Sequence, residues 1–226
     1  MARTNVYQHF CPVARSLEVI GEKWSLLIVR DLLRGPQRFT DLLRGLGNIT
    51  PKWLTARLRE LESAGLLIRN QAEGKREVWY ELTPAGRDLG PVIGALNVWG
   101  IHNALRPLEE GEGVSASRLV ESFRGYLVTE RIRPVEPIAI AFAFGPGEPS
   151  VLRFDGRYWI RDIAGAPADV TVSCSPAAWV AMLVERPAAP LAGLGVVGTP
   201  AAVEALRTVL AGLVVPRRTA EPAGRA

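Results

Sequence analysis

The chain has 226 residues, 27 of them Lys or Arg and 23 Asp or Glu, for a formal net charge of +4; that length allows one large domain or two small ones, each with its own core. No apolar run is long enough to cross a membrane and "MARTNVYQHF" lacks the apolar centre of a signal peptide, so a soluble, cytoplasmic protein is expected. Two distant cysteines, Cys11 and Cys174, argue against a disulfide framework or a structural zinc site.

"CPVARSLEVIG" predicts a first helix with Cys11 as N-cap and Pro12 at the first helical position, where a missing N–H is harmless. "EKWSLLIVRDLLRG" predicts a second, with Trp24, Leu27, Ile28 and Leu32 at helical spacing, ended by Gly35-Pro36. A short helix over "RFTDLLRGLG" turns its Leu42, Leu43 and Leu46 inward, and Thr50-Pro51 opens the next by the same cap-then-proline device, with Gly65 stopping it. The pattern then alternates: "LLIRNQ" and "EVWYELT" read as two strands joined by "AEGKR", whose tip carries Lys75 and Arg76. Thr83-Pro84 begins a final helical stretch that needs packing to hold it, because it contains several glycines and Pro91. This order is a winged helix-turn-helix layout over residues 1–106.

Residues 107–116 are acidic, glycine-containing and without apolar periodicity, and are expected to be a linker. Over 117–215 a helix, "RLVESFRGYLVTERI", precedes "EPIAIAFAF", which alternates large and small apolar residues as a strand buried on both faces would. "SVLRF" and "RYWIRDI" form a hairpin about Asp155-Gly156, followed by the strand "ADVTVSC" and a helix capped by Ser175-Pro176. "LGVVG", a short strand or bend, leads to a last helix capped by Thr199-Pro200. The fold class is α+β in two domains, with residues 216–226 expected to be a disordered tail.

The positive charge is concentrated. Residues 1–106 hold 15 Lys+Arg against 10 Asp+Glu, a net of +5, whereas residues 107–226 hold 12 against 13. Within residues 34–76 nine basic side chains meet four acidic ones, an excess suited to a polyanion such as DNA. On the helix opened by Thr50, a 100-degree advance per residue places Leu58 and Leu61 within about 40 degrees of Leu54, and the three form one stripe. Lys52, Thr55, Ala56 and Arg59 fall opposite. Small residues there let the backbone enter a major groove about 12 Å wide, and long donors reach base edges and phosphates. Arg59 suits a guanine edge, Thr55 a thymine methyl or phosphate and Lys52 a phosphate, whereas Arg57 lies nearer the core edge. Arg38 and Thr40 near the start of the preceding helix, Thr50 at the cap, and Lys75 and Arg76 at the wing tip complete the expected DNA contacts. An amphipathic helix with a charged outer face is ordinarily just solvated; here three consecutive elements aim cations one way.

"CPVARSLEVIGEKWSLLIVRDLLRGPQRFTDLLRGLGNITPKWLTARLRELESAGLL" and "VWYELTPAGRDLGPVIGALNVWG" resemble the HxlR family of bacterial winged-helix transcription regulators, relatives of the MarR group. The resemblance implies a homodimer built by residues 11–20 and 84–104, with Val92, Leu96 and Trp99 needing a partner surface, bound to a pseudo-palindromic operator on double-stranded DNA. Some members sense electrophiles or oxidants at the position of Cys11. A thiol at a helix N-terminus is chemically suited to that, but a small buried residue at a dimer contact is the plainer reading. "LRFDGRYWIRDIAGAPADVTVSCSPAAWVAML" and "GLGVVGTPAAVEALRTVL" resemble sterol-carrier-protein-like domains, which hold apolar ligands. That resemblance makes Phe142, Phe144, Trp159, Trp179 and Met182 candidate pocket residues and implies control by an apolar small-molecule effector; their ordinary role is to fill a core. A second domain that only builds the oligomer is the competing expectation, as is thiol modification at Cys11. A free-standing apolar-ligand carrier leaves the basic first half without a purpose. Catalysis is not expected: His9 and His102 lie outside any nucleophilic or metal-ligating constellation, and no cofactor is implied.

Overall fold

The structure, a computed structural model, describes Tyr7 and residues 10–71, 77–109, 112, 114–163, 165–185 and 189–213. The chain divides into two compact units, Met1–Ile93 and Gly94–Ala226. The division falls upstream of the expected 107–116 linker, and the expected tail at 216–226 lies outside the described residues.

In the first unit the described elements are α1 (Pro12–Ile20), α2 (Ser25–Leu32), β1 (Gln37–Arg38), α3 (Phe39–Leu46), α4 (Pro51–Ser63), β2 (Leu67–Gln71), β3 (Val78–Leu82), α5 (Pro84–Arg87) and the start of α6 (Gly90–Asn103). The strands form an antiparallel sheet of order β1-β3-β2. Two residues long, β1 carries no periodicity, which is why the sequence does not announce it. Ile28, Leu32, Leu42, Leu54, Leu58, Leu61, Leu67 and Leu82 make one buried core. Two expected inward residues differ: Leu43 is only partly buried, and Leu27 stands 38% exposed while its neighbour Val29 takes the buried position.

The cap-then-proline signals correspond to helix starts. Cys11 is the N-cap of α1, though its side chain makes no cap bond. Thr50 accepts from the Trp53 N–H at 3.3 Å, satisfying one of the donors a helix start leaves unpaired. Thr83 accepts from the Gly86 N–H at 3.1 Å and donates to the Gly65 carbonyl at 2.7 Å, fixing the end of α4 to the start of α5. The long helical stretch expected after Thr83 is two helices, because α5 stops at Arg87 and Pro91 stands in the first turn of α6. Proline is tolerated there, since first-turn N–H groups have no intrahelical acceptor.

The second unit contains α7 (Ala116–Thr129), β4 (Ile138–Ala143), β5 (Ser150–Phe154), β6 (Trp159–Arg161), β7 (Val170–Ser173), α8 (Pro176–Glu185), β8 (Gly195–Gly198) and α9 (Pro200–Ala211). Its sheet has the order β6-β5-β4-β7-β8, antiparallel throughout except for the parallel pair β4 and β7. The central strand β4 is buried on both faces, as its composition predicts: Ile138, Ile140 and Phe142 join the core with α7, α8 and α9, while Ala139 and Ala141 pack with Val151 and Ala166. Gly156 takes φ +98° at the β5–β6 turn, where the Asp155 carboxylate accepts the N–H groups of Arg157 and Tyr158.

Candidate nucleic-acid interface

Helix α4 divides much as its sequence wheel predicts. Leu54, Leu58 and Leu61 are buried, Lys52 and Arg59 are exposed, and Thr55 and Ala56 are half-buried. Arg57 is drawn inward: 8% exposed, it donates to Glu60 at 2.9 Å, lies 3.7 Å from Glu22 and sits 6.0 Å from the Trp53 ring centre. It is a structural arginine, joining α4 to the turn before α2. Thr55 donates its hydroxyl to the Pro51 carbonyl at 2.8 Å, which leaves the methyl and the oxygen lone pairs for an outside partner. Trp53, 56% exposed in the first turn of α4, is a large outward residue that lies off the leucine stripe.

The flanking cations are not equivalent. Arg38 is the N-cap residue of α3, but its guanidinium donates to Glu77 at 2.7 Å and lies 4.7 Å from the Trp79 ring centre. It thereby ties the start of α3 to the base of the wing, a local partnership that sequence spacing does not reveal. Thr40 is exposed on the first turn of α3, and Thr50 is exposed at its cap. Lys75 and Arg76 lie outside the described residues. Between α4 and the hairpin, Thr55, Leu58, Arg59, Glu62, Arg69 and Tyr80 line a cleft of about 240 Å³. Arg69, absent from the sequence-based set, enters it because Leu67, Arg69 and Gln71 alternate onto one face of β2, with Arg69 directly opposite Tyr80.

On α6, Val92 (42%), Leu96 (46%) and Trp99 (60%) are exposed at helical spacing, and on α1 Val13 and Leu17, preceded by Phe10, are exposed as well. Cys11 is half-buried. In the second unit Phe142, Phe144 and Trp179 come together with Phe123, ring centres 5.3 to 5.8 Å apart. Trp159 instead packs on Phe154 and donates its indole N–H to the Ile132 carbonyl at 2.7 Å. Met182 is buried in the same core. The indole N–H of Trp179 is buried with no hydrogen-bond acceptor among the described residues. Burial raises the Cys174 thiol above its ordinary pKa, and His102 pairs with the Tyr126 hydroxyl at 3.2 Å, an α6–α7 contact within the unit.

No helix among the described residues is long and apolar enough to cross a membrane. Residues 19–108 match the family model described as HxlR-like helix-turn-helix, which leaves residues 109–226 outside the match. The HTH-type transcriptional regulator YkvN of Bacillus subtilis is 41% identical over 105 residues, which are 45% of this chain and 87% of that protein. The HTH-type transcriptional regulator sll1512 of Synechocystis sp. is 38% identical over 93 residues, 41% of this chain and 69% of its own. Among solved structures, that of the HTH-type transcriptional regulator ytcD is 39% identical over 43% of this chain and all of its own, with a TM-score of 0.41. With 87% of a 41%-identical relative accounted for and the family model matched through α2 to α6, this chain belongs to the HxlR-like helix-turn-helix family of DNA-binding transcriptional regulators.

Proposed function

We propose that the protein is a homodimeric, sequence-specific regulator that places α4 of each protomer in a major groove of a pseudo-palindromic operator. The observation that carries this reading is the split of α4: a buried leucine stripe, Arg57 drawn into internal pairs, and Lys52, Thr55, Ala56 and Arg59 left on the outer side. In this assignment Arg59 reads a base edge and Lys52 takes a phosphate. Thr40, Thr50 and Thr55 supply hydroxyls, and the wing cations Lys75 and Arg76 add backbone contacts. Arg38 contributes chiefly by holding the wing through Glu77 and Trp79. Arg59→Ala should lose about 1–3 kcal/mol of preference for the operator over unrelated duplex in a mobility-shift competition, with an unchanged melting temperature. A variant that melts lower yet keeps its preference makes Arg59 structural.

The dimer reading draws on α6. An all-round apolar helix is expected to be covered on every side, and the stripe of Val92, Leu96 and Trp99 is exposed in the single chain. A second copy supplies the cover, and in this proposal Cys11 and α1 also face the partner. The domains assigned to this function are residues 1–106 for DNA and dimer and residues 117–215 for sensing.

For the second unit the proposal is a sterol-carrier-like sensor of an apolar small molecule, favoured by the indole donor of Trp179, which has no acceptor among the described residues amid an apolar core. The ring-to-ring packing of Phe123, Phe142, Phe144 and Trp179 favours the alternative, a packed domain that only builds the oligomer. A screen of apolar compounds bearing a carbonyl or ether oxygen separates the two. A rise in melting temperature that Trp179→Phe abolishes supports sensing, and no rise with any compound supports the oligomer role. Thiol modification at Cys11 is a further possible signal; operator affinity unaltered by diamide counts against it.

A further inference from the structure

Strand β2 carries an arginine where its alternation calls for an apolar residue. Leu67 and Leu82, paired across the hairpin, are both buried in the core of the first unit. Two residues along on the same face stand the exposed Arg69 and its partner Tyr80, which packs half-buried against that core; both line the cleft beside α4. Arg59 lies on the α4 wall. Neither guanidinium has an ion-pair or hydrogen-bond partner among the described residues, in contrast to Arg38 and Arg57, whose charges are answered by Glu77 and Glu60. Glu62 also lines the cleft, and it pairs with neither arginine among the described residues.

Two cations and one carboxylate lining a concave, solvent-open site leave a net positive charge there, which favours an anion. At roughly 30 Å³ per water, the cleft has room for a phosphodiester group and several waters. Because it adjoins the outer face of α4, the anion within reach is the sugar-phosphate strand bordering the groove that α4 enters.

We propose that this cleft is the seat of one backbone phosphate of the operator, with Arg69 as its principal ligand, Tyr80 as a hydroxyl donor and Glu62 as a repulsive neighbour that weakens the site. The inference rests on the DNA-binding reading and adds a contact that neither the recognition helix nor the wing tip supplies. A phosphate carries no base identity, so Arg69 adds affinity without preference, while Arg59 on the facing wall stays available to the base edge.

The full-length protein and its Arg69→Ala, Arg69→Lys and Glu62→Gln variants are titrated against the chain's own promoter duplex and an unrelated duplex across a range of salt concentrations. Arg69→Ala should weaken both duplexes alike, roughly tenfold, and lower the slope of log affinity against log salt by about one. Arg69→Lys should keep a slope near that of the parent, and Glu62→Gln should bind both duplexes more tightly. The proposal is overturned by an unchanged slope in Arg69→Ala, by a loss confined to the promoter duplex, or by weaker binding of Glu62→Gln. Absence of salt-dependent binding by the parent protein defeats the DNA reading itself.

Discussion

Arg57 and Arg59 sit two positions apart on one helix and have opposite fates. The first falls about 60 degrees nearer the leucine stripe, so its guanidinium must find partners inside, and it finds Glu60, Glu22 and the Trp53 face. Arg57→Ala is expected to lower stability by about 1–3 kcal/mol in chemical denaturation, discounted because both glutamates are well exposed, and to leave operator preference intact. The helical wheel made this pair legible in the sequence. Arg69 was not legible, because its role depends on which face of β2 meets α4, and a five-residue strand with one apolar anchor fixes its register only when paired with β3. The engagement of Arg38 by Glu77 was hidden for a related reason: the partners are 39 positions apart and meet because β1 pairs with β3.

At the scale of elements, boundaries were the most readable feature, since Thr-Pro and Ser-Pro pairs state a cap and a first turn together. The Thr50, Thr83 and Thr199 hydroxyls each accept from an N–H three residues on, and Ser175 does the same toward Ala178. Thr50→Ala should cost about 1 kcal/mol of stability, and Thr50→Asp should restore most of it, read by thermal melts of the full chain. Gly86 is a tighter constraint: a Cβ there would stand 2.0 Å from the Leu66 carbonyl oxygen, so Gly86→Ala is expected to displace the hairpin and lower the melting temperature more than Thr50→Ala does. Less readable was the break between α5 and α6. Pro91 reads equally as a weak interior or a new start, and the turn at Asp88-Leu89, set by packing of Leu89 on the first core, decides it.

At the scale of the whole molecule the two halves differ in how much can be argued from them. Residues 19–108 match the HxlR-like helix-turn-helix family model, and that match goes with a DNA-binding role. The second half has a mixed five-stranded sheet whose core composition is compatible with a packed domain or a pocket, since rings that fill a core and rings that line one obey the same periodicity. The proposed dimer is open to test at this scale: Leu96→Glu with Trp99→Glu should yield a monomer by analytical ultracentrifugation and lose the affinity gained from occupying two half-sites. The central claim, that a basic recognition surface binds DNA, is tested most directly by titrating the full-length protein against a duplex from its own promoter region while raising the salt from 50 to 200 mM, a range chosen from the behaviour of phosphate-contacting proteins, for which it is roughly the span over which affinity collapses. The account predicts tight binding at low salt, a steep linear fall of log affinity with log salt, and tighter binding to the promoter duplex than to unrelated sequence at every salt. No binding at the lowest salt, or binding indifferent to salt, would contradict it.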